Sequence, residues 1–310
     1  FNQSFHPSPP GWRSFPRIIL GHIMDRIILE GISKATFIVG YLGEKVEEFI
    51  KENYNIEADF VQQDEQLGLG HAIYMAKDTF KGDELLIILG DTIFDVDLKS
   101  MLSQKFSALG VKEVDDPRRF GVAIVENGFI SKLIEKPETP ISKLAIVGLY
   151  YIKNSDLLEN CLNEIITKDI RTKDEYQLTD ALQLMLDKGE KFVPFTVEGW
   201  FDCGKPETLL STNHHLLEKL NNTEKIEGVV IQKPVYISPK SKVENSVIGP
   251  YTTINDGAEI KNSIIVNSIV GFNAKVYNAI LRDSIIGNNT IIQGQFKKLN
   301  TGDSTEIEFY

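Results

Sequence analysis

With 310 residues, 42% of them hydrophobic, the chain is long enough to bury one large core or two smaller ones. Its net charge of −11 speaks against DNA or RNA as a general partner, because phosphate backbones are bound by clustered Lys and Arg. No apolar run approaches the roughly 20 residues that span a bilayer. Phe1 to Arg17 holds no continuous apolar stretch behind a basic segment, so no signal peptide is expected and a cytoplasmic location is.

From about Gly21 the pattern alternates between helix and strand. A helix is expected over Ile23–Ile32, a strand over Ala35–Val39, and an amphipathic helix over Gly43–Tyr54, where Val46, Phe49 and Ile50 share a face. A strand (Ala58–Gln62), a helix (Gly70–Phe80) and a continuously apolar strand (Glu84–Leu89) follow. Such an apolar run suits a parallel strand covered on both faces. Phe120–Glu126 and Phe129–Glu135 flank Asn127-Gly128, which predicts a hairpin because both turn residues tolerate positive φ. Beyond it come a strand (Leu144–Ile152), helices (Asp156–Thr167, Leu178–Lys188), a strand (Lys191–Val197) and a helix with proline in its first turn (Pro206–Leu220). Cys161 lies in an apolar run and reads as a core thiol; with Cys203 it forms neither a disulfide framework nor a zinc spacing. Alternating β and α units with short connections predict a doubly wound α/β sheet, with ligands beyond the carboxyl ends of its strands.

Composition turns polar around Lys219–Gly228, and the pattern changes. Val247-Ile248-Gly249, Ile269-Val270-Gly271 and Ile285-Ile286-Gly287 open similar phrases, with Thr252, Ala274 and Thr290 three positions after each glycine. A short apolar–Gly period without helix signals predicts a β-solenoid. The expected domains are therefore 1–222 and 223–310.

Four clusters could carry chemistry. Gln63-x4-Gly68-Leu69-Gly70 follows a strand and opens a helix; Gln63 offers the donor and acceptor that a nucleobase edge requires. Leu89-Gly90-Asp91 ends the most apolar strand, where a carboxylate could hold Mg²⁺ between phosphates. Glu135-Lys136-Pro137 ends another strand, with a carboxylate for a sugar hydroxyl and an ammonium for a phosphate. Gly199-Trp200-Phe201-Asp202-Cys203-Gly204 offers Asp202 as a second metal ligand. Each alone has a plain structural alternative: a helix start, an N-cap, a solvated strand end, a turn.

Taken in order with Gly148-Leu149-Tyr150, these motifs resemble those of sugar-1-phosphate nucleotidyltransferases, closest to the long form of glucose-1-phosphate thymidylyltransferase with a C-terminal left-handed β-helix. Asp115-Asp116-Pro117-Arg118-Arg119-Phe120-Gly121, Glu175-Tyr176-Gln177-Leu178-Thr179-Asp180 and Leu299-Asn300-x-Gly302-Asp303-Ser304 strengthen the resemblance, which runs from Ile18 to the end. It implies a mixed doubly wound sheet followed by a left-handed parallel β-helix. It further implies transfer of a nucleotide from an NTP to a sugar 1-phosphate (dTTP or UTP with glucose 1-phosphate), with release of pyrophosphate. Gln63 and Gly68 would hold the base, while Gly121, Glu135 and Gly148 would surround the sugar. Lys136 would contact the sugar phosphate, and Asp91 with Asp202 would bind Mg²⁺. Asp91, Lys136 and Asp202 are thus the catalytic candidates, and association of copies through the tail is a further expectation.

The family opens on a strand and a Gly-x-Gly-Thr-Arg loop, for which residues 4–17, SFHPSPPGWRSFPR, are no substitute. Four prolines and no strand pattern suggest that this beginning is missing or replaced. A catalytically inactive relative that binds sugar nucleotides or regulates is the alternative. A β-helix acyltransferase using a coil histidine as base is disfavoured, because His6, His22, His71, His214 and His215 all precede the tail.

Overall fold

The computed structural model describes residues 19–139, 141–203, 206–220 and 225–294. The N-terminal stretch through Ile18, Gly204 and the phrase around Asn300 lie outside the described residues. Two compact units separate between Phe201 and Asp202.

In the first unit, helices α1 (Ile19–Leu29) and α2 (Gly43–Asn53) alternate with strands β1 (Lys34–Val39) and β2 (Glu57–Gln62), which pair in parallel over their whole length. After them come α3 (Leu69–Met75), β3 (Leu85–Ile88), β4 (Thr92–Asp95), α4 (Leu98–Leu102), β5 (Ser107–Glu113), β6 (Gly121–Glu126), β7 (Phe129–Glu135) and β8 (Leu144–Ile152). The unit closes with α5 (Ser155–Thr167), α6 (Leu178–Asp187), β9 (Phe192–Thr196) and β10 (Gly199–Asp202), the last of which pairs with β4. The helix expected over Gly70–Phe80 is shorter: α3 stops at Met75 and a separate 3₁₀ turn takes Lys77–Thr79.

The main sheet runs β7-β6-β8-β5-β9, with β3 also on β8. It is mixed: β5 and β9 are parallel, whereas β8 is antiparallel to β3, β5 and β6. The parallel placement expected for Glu84–Leu89 is corrected here, since among the described residues β3 pairs antiparallel, Leu85 to Ile152 through Ile88 to Leu149. An apolar run reports two covered faces: the partly buried Leu85 and Ile87 pack against one core, Leu86 and Ile88 against the other.

Strand β8 shows why two helical layers form. Ile146, Tyr150 and Ile152 join one core with Leu158, Leu162, Leu178, Leu182 and Met185, while Val147, Leu149 and Tyr151 join another with Met24, Ile27, Ile50, Leu98 and Met101. The alternation is the two-residue period of a pleated strand, and it places α5 and α6 opposite α1, α2 and α4. Cys161 is fully buried in the first of these cores.

The second unit contains α7 (Pro206–Glu218) and three four-stranded parallel sheets, the faces of the parallel β-helix expected for the tail. Each turn of chain contributes one inward aliphatic to each face: Ile231, Ile248, Ile265 and Leu281 on the first; Ile237, Ile254, Val270 and Ile286 on the second; Val243, Ile260, Val276 and Ile292 on the third. Corners carry residues in the left-handed region, among them Asn245, Asn262 and Asn278 (φ 45°, 49° and 54°) on one edge. Asparagine tolerates that conformation, and stacked corners can also bond to each other: Asn262 Nδ2 donates to Asn278 Oδ1 at 3.1 Å.

The outward columns differ. Lys242, Glu259 and Lys275 alternate in charge on the third face, with Lys275 and Glu259 3.3 Å apart. On the second, α7 covers Thr253, whose hydroxyl donates to Asn213 Oδ1 at 2.6 Å. On the first face, Val230, Val247, Ile264 and Ile280 form an uninterrupted aliphatic column, with Ile280 71% exposed.

Candidate functional site

Strand β2 delivers the first cluster. Gln63 continues it by one residue, its N–H donating to Val39 O at 2.8 Å. The side-chain amide then turns toward the loop: Nε2 donates to Gly68 O at 3.4 Å and lies 3.2 Å from His71 Nδ1. Gly68 sits at φ 106°, a conformation that glycine alone adopts readily. A side chain there would also meet Tyr176 O at 2.7 Å and Glu175 Cβ at 2.9 Å. The expected base-side pair, Gln63 and Gly68, is thus brought together, and the loop lies against the segment that precedes α6.

The β6–β7 hairpin builds the second cluster. Asn127 (φ 51°) and Gly128 (φ 82°) form the turn, and its register sets Gly121 opposite Glu135. At Gly121 a Cβ would lie 2.8 Å from Thr179 Oγ1 and 2.9 Å from Glu135 Oε2, so glycine leaves the room that this carboxylate occupies. The Thr179 hydroxyl donates to Glu135 Oε2 at 2.6 Å. Lys136 Nζ stands 3.4 Å from Glu135 Oε1; the glutamate side chain is 9% exposed and the lysine 36%. A nearly buried carboxylate beside a more open ammonium suits hydroxyls on one side and an anion on the other.

Two further groups share this pocket of charge. Burial, with the Glu135 carboxylate adding to it, pushes the Tyr150 hydroxyl up. Burial likewise raises Asp180 above the usual carboxylate range, again with Glu135 contributing, while a Thr172 hydrogen bond opposes the shift. Asp180 Oδ2 is buried and has no hydrogen-bond partner among the described residues.

Gly148, at φ 71° within β8, lets Leu89 close over the strand: an added Cβ would meet Leu89 Cδ1 at 2.7 Å, and Leu89 N–H donates to Gly148 O at 3.0 Å. That contact fixes the exit of β3 toward Asp91. Asp91 is exposed, and its Oδ1 accepts from the Thr92 hydroxyl at 3.1 Å. Asp202 ends β10, and its side chain lies outside the described ones. Among the described residues, no group of three or more His, Cys, Asp or Glu converges to hold a metal ion. Mg²⁺ commonly takes only one or two protein carboxylates and completes its shell with phosphates and water; an exposed Asp91 fits that donor set.

Sequence reasoning did not assign roles to His71, Thr179, Asp180 or the main chain of Tyr176. For the last three the only signal was the phrase Glu175–Asp180, because contacts such as Thr179 to Glu135 and Tyr176 to Gly70 span sequence separations that no local pattern encodes.

Comparison with known proteins bears on the family and the fold. The family model described as nucleotidyl transferase matches residues 14–219. The bifunctional protein GlmU of Methanococcus maripaludis is 34% identical over 283 residues, 80% of this chain and 65% of that protein. The glucose-1-phosphate thymidylyltransferase of Streptomyces antibioticus is 25% identical over 284 residues, 81% of this chain and 78% of that one. A crystal structure of a Bacillus anthracis protein assigned as a glucose-1-phosphate thymidylyltransferase, in complex with a sucrose, superposes with TM-score 0.55 at 25% identity, covering 67% of this chain and 85% of the other. The chain spans 65%, 66% and 52% of the length of three GlmU relatives from methanogens.

Proposed function

Since the chain belongs to the nucleotidyl transferase family, as a sugar-1-phosphate nucleotidyltransferase, we propose that it joins an NTP to a sugar 1-phosphate, most simply dTTP or UTP to glucose 1-phosphate. The observation that carries this reading is the cluster of Gly121, Thr179, Glu135 and Lys136, a carboxylate held by one hydroxyl beside a more open cation.

In the proposed reaction a phosphate oxygen of the sugar phosphate attacks the α-phosphorus of the NTP in line. One P–O bond forms, the bond to the β-phosphate breaks, and pyrophosphate leaves. No side chain is required as a covalent nucleophile, so positioning and charge neutralisation supply the rate. Gln63 would read the base edge with its amide, exchanging its bond to Gly68 O for one to the base. Glu135 would accept from sugar hydroxyls through the lone pairs that Thr179 leaves open, and Lys136 would hold the sugar phosphate. Asp91 and Asp202 would hold Mg²⁺, which when bound offsets charge building on the transferring phosphoryl group. In a version that carries the family's opening strand and Gly-x-Gly-Thr-Arg loop, Asp91→Asn and Asp202→Asn should each cut pyrophosphate release about 10²-fold, on the scale of one lost electrostatic contact. Association of copies through the coils belongs to the same proposal: the aliphatic column of the first face has no charge to match a charged partner, and a second copy presents the same column.

Calorimetric titration of the 310-residue chain with glucose 1-phosphate, and separately with dTTP and UTP, tests the reading. Glu135→Gln and Lys136→Met should each weaken sugar-phosphate binding about tenfold, the scale of one charge-assisted contact. Wild-type affinity in both variants would defeat it.

A further inference from the structure

One short stretch, Tyr176 to Asp180, touches both halves of the proposed site. At its start, Tyr176 O accepts from Gly70 N–H at 2.8 Å and Tyr176 N–H donates to Leu67 O at 2.8 Å. The packing leaves no slack, because a Cβ on Gly70 would stand 2.8 Å from Tyr176 O, and one on Gly68 2.7 Å from the same oxygen. Three residues later, Thr179 holds Glu135 Oε2 and fills the space beside Gly121.

The stretch is itself anchored. The Tyr176 hydroxyl donates to Asp169 Oδ1 at 2.6 Å and accepts from Arg171 Nη2 at 2.8 Å, and the same guanidinium lies 4.4 Å from the ring centre. Gln177 Nε2 donates to Glu175 Oε2 at 2.7 Å. Leu178, Ala181 and Leu182, at the start of α6, are at most 1% exposed. A close-packed, doubly anchored segment transmits displacement instead of absorbing it.

We infer that Tyr176–Asp180 couples the two substrate subsites, so that filling the Gln63–Gly70 loop with nucleotide fixes Glu135, through Thr179, for the sugar phosphate. The inference rests on the functional reading above. Thr179 is then a positioning residue: it restrains one carboxylate oxygen and leaves Oε1 beside Lys136. Coupling of this kind is reciprocal, each ligand tightening the other by the same factor.

The test titrates glucose 1-phosphate into the 310-residue chain with and without saturating α,β-methylene dTTP or α,β-methylene UTP. In the wild type, nucleotide should tighten sugar-phosphate binding by a factor within the usual span of about 5 to 150. Thr179→Val, equal in shape but without the donor, should bring that factor to about one, and Thr179→Ser should restore it. Tyr176→Phe, which removes the hydroxyl from Asp169 and Arg171, should lower it too, and it carries the same test should Thr179→Val fail to fold. Unchanged coupling in a well-folded Thr179→Val or Tyr176→Phe chain overturns the inference. So does a loss that Thr179→Ser does not restore, which would mark Thr179 as a packing residue. A wild type that binds both ligands without coupling overturns the inference alone, whereas one that binds neither overturns the functional reading with it.

Discussion

At Gly148 the backbone takes φ 71° and Leu89 Cδ1 would stand 2.7 Å from an added methyl, so two penalties coincide. Left-handed strain alone costs about 1–2 kcal/mol for a residue with a Cβ, and the clash adds to it. Gly148→Ala should therefore lose about 2 kcal/mol or more, read as a lowered urea midpoint. Gly121 differs: its φ is ordinary, and the methyl would strike two polar atoms of the site, Thr179 Oγ1 and Glu135 Oε2. Gly121→Ala should weaken glucose 1-phosphate binding while the melt moves less than in Gly148→Ala; unchanged sugar-phosphate affinity would remove Glu135 from the sugar site. Asp180 offers a pH test. Its folded pKa is raised from the ordinary 3.8 by burial first and Glu135 second, so the folded state holds the proton more tightly than the unfolded chain. Ionisation above the ordinary value then takes stability away as pH rises, and no such loss exists below it. Asp180→Asn should melt higher than wild type at pH 7, and the gap should close as pH falls below about 4. A gap that stays constant from pH 3 to pH 8 would show that charge is not its cause. The sequence singled out Gln63, Gly68, Glu135 and Lys136 from motifs that follow strands, and Gly121 and Gly148 through the family resemblance. Thr179 stayed hidden because its work is done on Glu135, a partner that only the folded hairpin brings within 2.6 Å.

Elements whose residues serve one local purpose were readable, as β8 and the Asn127-Gly128 hairpin show. Strand β5 was not, although it joins β8 to β9. Its sequence, Ser-Ala-Leu-Gly-Val-Lys-Glu, opens on a serine, buried because its hydroxyl donates to Glu190 at 2.7 Å. It also contains Gly110, where a Cβ would sit 3.0 Å from Leu149. Both choices answer to distant neighbours, and both break an apolar pattern. In the tail, the three apolar–Gly phrases gave the right architecture with an uneven period. Ile248 lies on the first face but Val270 and Ile286 lie on the second, so the phrases are not equivalent places in the coil. The even spacing belongs to the corner asparagines. Helix α7 was read as the close of the first domain, and in the structure it groups with the coils. Asn213 is 5% exposed, donates to Tyr251 O at 3.1 Å and accepts from Thr253, and His214 stacks on Tyr251 at 3.8 Å. Removing the amide strands the buried Thr253 hydroxyl and takes a donor from Tyr251 O, so Asn213→Ala should cost about 1–3 kcal/mol. A fragment of residues 206–310 should also melt cooperatively at a higher temperature than one of residues 227–310. Equal melting of the two fragments would mean that α7 adds nothing to the coils.

On the scale of the whole chain, the two units bury their apolar side chains in different ways. In the first, β8 binds helices from both ends of the unit into two cores, so residues far apart in sequence must order together. In the second, each aliphatic column joins a coil to the one before it, as Ile248 meets Ile265 and Ile265 meets Leu281, and stability accrues by neighbouring repeats. Separate cores with different contact ranges define separate cooperative units, for which a single melting temperature is not a defined quantity. Scanning calorimetry of the 310-residue chain should therefore resolve two transitions. Substitutions then assign them: Gly148→Ala should lower only one and Asn213→Ala only the other, and the double variant should show both shifts with little interaction, as sites without shared partners generally do. Glucose 1-phosphate supplies an independent marker, since a ligand that binds the native state alone raises the transition of the unit that holds it. It should move the transition that Gly148→Ala lowers and leave the other in place. One transition shifted by both substitutions would show that the units unfold as a single body, and would end the description of two independent cores.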